Sequence, residues 1–362
     1  MGIKQNTSTI YNILNTLNIF PDANAVHENE REIVDRTIKE LDNNIASHVG
    51  NYAFNYCSSL QTVSFPECTT IGESAFAYCA LLTTVSFPKC INVGSCAFYY
   101  CTSLTTASFP ECTTIGDSAF MNCRSLQTVS FPECTTIGES AFFSCLSLTT
   151  VSFPKCITIG YQAFTGLLNS MAILTADFPM CTSIGSDAFM NCRSLQTVSF
   201  PVCTSVGEKA FANCSSLTSA SFPECTTIGD SAFNRTLLTT VSFPKCASIG
   251  SSAFYNCFSL TTISFPVCTS IGECAFEFCT SLTTVSFPKC TSIGNLAFSN
   301  CSRLYSIYLM VSSLCTLYSS EVFYSAGITS STGSIFVPAS LVASYKSANG
   351  WSYFSNRIFS AP

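Results

Sequence analysis

The chain has 362 residues, 47% of them apolar and only 10% charged, with a net charge of −6. An average soluble domain has about a quarter of its residues charged, so polarity here must come from Ser and Thr, and there is ample apolar material to bury. The acidic balance does not suggest nucleic acid, which calls for basic patches and a high pI, and no run of about eighteen apolar residues exists to span a membrane.

The opening, MGIKQNTSTIYNIL, lacks a secretory apolar region and cleavage site, and Asn6 stands where a myristoylation pattern needs Ser or Thr. A removed leader and another export route both fit. Ile10, Ile13, Leu14 and Leu17 predict a short helix. His27 to Asp42, HENEREIVDRTIKELD, concentrates charge found almost nowhere else, and Val34, Ile38 and Leu41 share one helical face. Residues 1–48 are therefore expected to form a helical cap over the first coil of a solenoid, the alternative being a docking helix for a partner.

From Val49 the chain repeats itself. VGNYAFNYC (Val49 to Cys57) is a half-copy, and full copies follow the Phe-Pro pairs that begin with Phe65, Phe87, Phe109, Phe131 and Phe153 and run on to Phe287. The steps are 22 residues except for one of 25 and one of 21, and a degenerate copy ends at Leu309. A period of this size marks stacked coils, none of which can bury its apolar edge alone. About twelve coils are expected over 49–310. Within one coil, Val63 and Phe65 alternate with Thr62 and Ser64, which predicts a half-buried strand ended by Pro66. Ile71, Ala75, Phe76 and Cys79 recur at three to four residues, which predicts a short helical or 3₁₀ turn on the opposite side, with Gly72 supplying the bend.

These residues carry a family resemblance. LTTVSFPKCTSIGNLAFSNC (Leu282 to Cys301) resembles the BspA-type, or Treponema-type, leucine-rich repeat, whose mark is a strand ending in Pro followed by Ile-Gly-x-x-Ala-Phe-x-x-Cys. The likeness runs from about Val49 to Leu309, and IFVPASLVASYKSANGWSYF (Ile335 to Phe354) resembles the closing segment of such proteins in gut bacteria. Phe stands before Pro where the family often has Ile or Leu, and Cys follows at 68 and its equivalents. The resemblance implies an α/β solenoid, a right-handed leucine-rich-repeat coil with a parallel β-sheet on one face and short helical or 3₁₀ turns on the other.

Of the 24 cysteines, one column follows Phe-Pro (Cys68, Cys90, Cys112 and onward) and a second follows Ala-Phe (Cys57, Cys79, Cys101 and onward). Cys96, Cys274 and Cys315 fall outside both. In-register neighbours lie about 4.8 Å apart, beyond the roughly 3.5–4.5 Å between Cβ atoms that a disulfide needs. Cys also behaves as a small buried hydrophobe, so two columns of free thiols are expected. There is no CxxC pair to hold zinc, and the two histidines, His27 and His48, offer no base along the repeats. No catalytic residue, cofactor site or metal site is assigned, and the chain is expected not to be an enzyme.

Three stretches break the period: Thr165 to Asp177, Asn234 to Leu238, and Val311 to Gly333. Each fits a recognition loop or slippage during repeat duplication. Pro338 precedes a short helix, Trp351 is expected to pack in the core of an irregular C-terminal cap, and that cap is assigned to 311–362.

The outward strand positions are hydroxyls: Thr62 and Ser64, Thr84 and Ser86, Thr106 and Ser108, Thr128 and Ser130, Thr150 and Ser152. They make a soluble face or a candidate binding face for a repetitive partner, where weak contacts sum. The resemblance implies a bacterial surface or extracellular adhesion protein, expected to be monomeric, with protein or glycan ligands on the host, on other bacteria or in the matrix. A structural spacer, such as a fibre or receptor-binding component of a prophage particle, is the alternative, and a lattice binder such as one for ice is a third.

Overall fold

The computed structural model describes residues 47–166 and 171–362. The predicted helices near Ile10 and at His27 to Asp42, and with them the helical cap, lie outside the described residues. The chain forms two compact units. One contains the described residues up to Cys156 with those of Ala163–Met171; the other contains Ile157–Gln162 and Ala172–Pro362. Each is a parallel β-solenoid.

In the first unit, Thr62–Ser64, Thr84–Ser86, Thr106–Ser108 and Thr128–Ser130 pair in parallel, Val63 opposite Val85 and Val85 opposite Ala107. The middle residue of each points inward between an outward Thr and Ser, which is the alternation written in the sequence. A second ladder was not predicted. His48–Val49, Thr70–Ile71, Asn92–Val93, Thr114–Ile115 and Thr136–Ile137 also pair in parallel, with Ile71 opposite Val93. The first coil thus opens at His48.

The second unit repeats both ladders. Its two-residue strands run from Thr158–Ile159 to Thr316–Leu317, and its three-residue strands begin with Thr175–Asp177, Thr197–Ser199 and Ser219–Ser221. The Thr284–Ser286 and Ser306–Tyr308 pair is extended by Ser334–Val337 and Ile358–Ser360, all parallel.

The expected short helical or 3₁₀ turn around Ala75 and Phe76 is corrected to two separate single turns with no helix. Ser74 and Tyr78 have φ of 51° and 62°, and two left-handed residues four apart cannot belong to a right-handed helix. The hydrogen bonds give the reason. Ser74, Phe76 and Tyr78 donate their backbone N–H groups to the next coil, at Ser95, Ala97 and Tyr99 carbonyls, over 2.7 to 2.9 Å. Ala77 and Cys79, between and after them, donate back three residues to Ser74 and Phe76, both at 3.2 Å. Alternate N–H groups therefore serve the stack and the local turn, and none is left for a helical ladder.

The glycines are corrected as well. Gly72 and its equivalents have no positive φ, and their task is close approach. A Cβ on Gly94 would sit 2.7 Å from the Gly72 carbonyl carbon, and one on Gly116 would sit 2.6 Å from the Ser95 nitrogen. Only a residue without a side chain lets successive coils stack here.

Phenylalanine fills the core in two columns. Phe54, Phe76, Phe98, Phe120, Phe142 and Phe164 stack at 5.1 to 5.3 Å. Phe65, Phe87, Phe109, Phe131 and Phe153 stack at 5.0 to 6.0 Å. Rings of one column meet the other tilted or edge-on, as Phe98 meets Phe109 at 5.9 Å. Edge-to-face contact is a favoured aromatic arrangement, which accounts for Phe where a branched aliphatic would also be apolar.

At the far end Trp351 is fully buried. Its Nε1 donates to the Cys315 carbonyl at 2.6 Å, and Tyr345 packs edge-on to it at 5.1 Å. A 3₁₀ turn, Ala339–Leu341, precedes the helix Val342–Ser347, with Pro338 at its head.

Candidate binding face

The hydroxyl columns stand on the Thr-Val-Ser ladder of the first unit. Thr62, Thr84, Thr106 and Thr128 lie in register, as do Ser64, Ser86, Ser108 and Ser130. All are exposed except Ser108, which is half-buried. Thr150 and Ser152, on the corresponding strand Thr150–Ser152, are exposed too but lie outside that four-stranded sheet. One residue before the strand the hydroxyls are engaged: Thr83 donates to the Gln61 carbonyl at 3.2 Å and Thr105 to the Thr83 carbonyl at 3.0 Å. Strand geometry alone turns the next hydroxyl outward.

Along one edge of this face, Lys89 pairs with Glu67 and Lys155 with Glu133, each at 2.5 Å across one coil step. Both pairs are about half exposed and contribute at most about 1 kcal/mol; they leave the edge nearly neutral.

The thiol columns are where they were expected. None of the 24 cysteines is in a disulfide, and all but Cys96 and Cys274 are buried. Each column has its own acceptor. Cys68, Cys90 and Cys112 donate Sγ–H to the carbonyl two residues on, at 3.2 Å. Cys79, Cys101 and Cys123 donate to the Phe carbonyl of the preceding coil, at 3.1 Å. Burial raises the thiol pKa to about 12 at Cys90 and Cys101, so these are not nucleophiles. Among the described residues no group of three His, Cys, Asp or Glu side chains is placed to hold a metal ion.

Sequence reasoning missed a tyrosine cluster on the Ala-Phe corner of the first coils. Tyr56 stacks on Tyr78 at 4.5 Å, Tyr78 on Tyr100 at 5.4 Å, and Tyr99 lies 4.7 Å from Tyr100. The Tyr52 hydroxyl donates to Glu73 at 2.7 Å, which raises its pKa. The signal was available: later coils carry Asn122, Asn191 and Asn213 at the position of Tyr78.

Each period break places some of its described side chains in the core. At Asn234 to Leu238, Thr236 replaces the column cysteine; it is buried, and its hydroxyl donates to the Phe233 carbonyl at 3.0 Å. Met171 and Ile173 in the longer insertion are buried, as are Val322, Phe323 and Ile328 in Val311 to Gly333.

The description "BspA type Leucine rich repeat region" matches residues 47–171, 166–266 and 226–338. The chain belongs to the BspA-type leucine-rich repeat family. Among solved structures, the BspA-type fold is similar to a leucine-rich repeat protein from Bacteroides ovatus ATCC 8483. Identity is 22% over 87% of this chain and 88% of that chain, with a TM-score of 0.50. A leucine rich cell surface protein from Faecalibacterium prausnitzii A2-165 aligns at 25% identity, covering 82% of this chain and 86% of that one, with a TM-score of 0.44. No curated protein matches significantly. Among the described residues no helix is long and apolar enough to cross a membrane.

Proposed function

We propose that this BspA-type chain is a non-enzymatic adhesion protein of a bacterial surface, and that it holds a repetitive protein or glycan partner on the Thr/Ser face of its first unit. The observation that carries this reading is the register of the exposed columns, Thr62, Thr84, Thr106 and Thr128 beside Ser64, Ser86, Ser108 and Ser130. Strands in a sheet repeat at about 4.8 Å, so such a face offers identical hydroxyl pairs at a fixed interval. A partner that repeats is held by many weak contacts at high effective concentration. Family membership supports a binding role and the surface location.

The test is capture of immobilised collagen, fibronectin, laminin and an array of bacterial and host glycans by the full chain. The double substitution Thr84→Lys with Thr106→Lys adds two charges to the middle of the face without touching the core. Retention on one of these partners that falls at least about tenfold in the double variant, with unchanged melting, supports the reading. Capture of none of them returns the chain to the spacer class, and capture that ignores the substitutions moves the site elsewhere.

A further inference from the structure

The two-residue ladder of the second unit ends in an irregularity with chemical consequences. Ser292 pairs with Thr316 and Ile293 with Leu317, so Tyr318 stands at the register position of Gly294. At Gly294 a Cβ would lie 2.5 Å from the Glu273 nitrogen and 2.6 Å from the Gly272 carbonyl carbon. Tyrosine is accommodated in that column because the chain leaves the stack here. The Tyr318 N–H reaches the Ile293 carbonyl at 3.2 Å, against 2.8 Å for Gly294 to Ile271. Ser319 then caps the 3₁₀ turn Ser320–Phe323.

The consequence is a cleft of about 340 Å³. Gly272 and Gly294, Ser270 and Ser292, Glu273 and Asn295, and Tyr318 line it. Its volume is at the lower end of small-ligand sites, about 300–1,000 Å³. Tyr318 is 74% exposed, a large aromatic residue kept in water. Asn295 is already oriented: its Oδ1 accepts from the Ser319 hydroxyl, and its Nδ2 lies 3.5 Å from Glu273 Oε1. Glu273 has no cationic partner among the described residues.

We propose that this cleft is a saccharide site that takes a neutral hexose or N-acetylhexosamine unit of a glycan. A pyranose has an apolar C–H face and a rim of hydroxyls that both donate and accept. Tyr318 offers the ring for the first; the Glu273 carboxylate, the Asn295 amide and the Ser270 and Ser292 hydroxyls offer acceptors and donors for the second. The carboxylate, with no cation paired to it among the described residues, also sets a selectivity, since an acidic sugar would bring a like charge into the cleft. The inference rests on the reading of the chain as a binding protein, but it uses a different face and a different unit from the Thr/Ser columns.

Saturation-transfer difference NMR on the full chain tests it, with methyl glucoside, methyl galactoside, methyl mannoside and di-N-acetylchitobiose as neutral probes and sialyllactose as the acidic one. At least one neutral probe is expected to receive saturation, and Tyr318→Ala is expected to weaken its binding about tenfold or more while Tyr318→Phe retains it. Glu273→Gln is expected to narrow the gap between neutral and acidic probes. The pair Thr84→Lys and Thr106→Lys should leave all of this unchanged, so loss of the Thr/Ser face and loss of the cleft are read separately. Silence from every neutral probe, or equal transfer to wild type and Tyr318→Ala, overturns the proposal.

Discussion

Each coil contains a Thr-Val-Ser strand and an Ala-Phe corner, and the two meet the same backbone demand by different means. The strand pairs with its neighbours through an ordinary parallel ladder, with Val63 opposite Val85. The corner alternates: Ser74 and Phe76 donate to the next coil, and Ala77 and Cys79 donate within their own. A strand can be varied at its outward positions without disturbing the ladder. The corner requires left-handed backbone at two places and a second donor, the Cys101 thiol, on the Phe76 carbonyl. Register in this protein is therefore held on the strand side by repetition of shape, and on the corner side by specific atoms.

The thiols, one column on each side of the coil, allow the most severe test of the stack. In an unfolded chain they ionise near about pH 8.5, whereas burial raises Cys90 and Cys101 to about 12. Between those values the folded chain binds more protons than the unfolded one. Stability is thus intact below about pH 8.5 and falls as pH rises toward the folded values, by about 1.4 kcal/mol per pH unit for each ionising thiol. Burial raises the thiol pKa in the same direction at further positions of both columns, among them Cys68, Cys79, Cys112 and Cys123, so the losses add over many sites. A steep, many-proton unfolding well below pH 12 is expected by circular dichroism against pH. The pair Cys101→Ala and Cys123→Ala should make it shallower, and full ellipticity retained at pH 12 would show that the columns are not buried thiols.

Close approach of the coils is next in magnitude. Gly116→Ala would place a Cβ 2.6 Å from the Ser95 nitrogen and 2.9 Å from the Val93 carbonyl oxygen, backbone that cannot step aside. A loss of about 3 kcal/mol is expected, at the upper end of overpacking effects. Because each coil contacts only its neighbours, the loss should be local. Hydrogen exchange should accelerate at Gly94 to Cys101 and Gly116 to Cys123 before it does so in the second unit; uniform acceleration would argue for a single cooperative body.

What could be read from the sequence follows the same division. The strand was legible because Thr62, Val63, Ser64 and Phe65 alternate in polarity, and the two thiol columns because each repeat places Cys at the same two phases. The corner was misread because Ile71, Ala75, Phe76 and Cys79 have the spacing of a helix face. Apolar spacing records which side chains point inward, not the path of the backbone between them. The left-handed position at Ser74 was hidden behind a residue that does not advertise positive φ, whereas the one at Tyr78 carries Asn in later coils, at Asn122, Asn191 and Asn213, and was open to reading. The second ladder was hidden because two-residue strands such as Thr70–Ile71 are too short to display a period. Of the candidate sites, the Thr/Ser face follows from alternation alone, while the Tyr318 cleft required the register of Thr316 against Ser292, which no pattern of residue types contains.

The smallest expected effect examines the corner's strain directly. Ser118 has φ of 55°, a conformation that costs a residue with a Cβ about 1–2 kcal/mol. Its N–H bond to the Glu139 carbonyl, 2.7 Å long, is retained by any residue but proline. Ser118→Gly removes the strain and adds back part of it as unfolded-chain entropy, about 0.5–1 kcal/mol. A net gain of up to about 1 kcal/mol is expected. Ala119 beside it is fully buried and has no positive φ, so Ala119→Gly has no strain to relieve and loses packing, with an expected cost of about 1 kcal/mol. Thermal melts of the two variants should therefore move in opposite directions from one residue to the next. Melts that move together would mean that the left-handed turn at Ser118 is not the conformation holding Phe120 in its column.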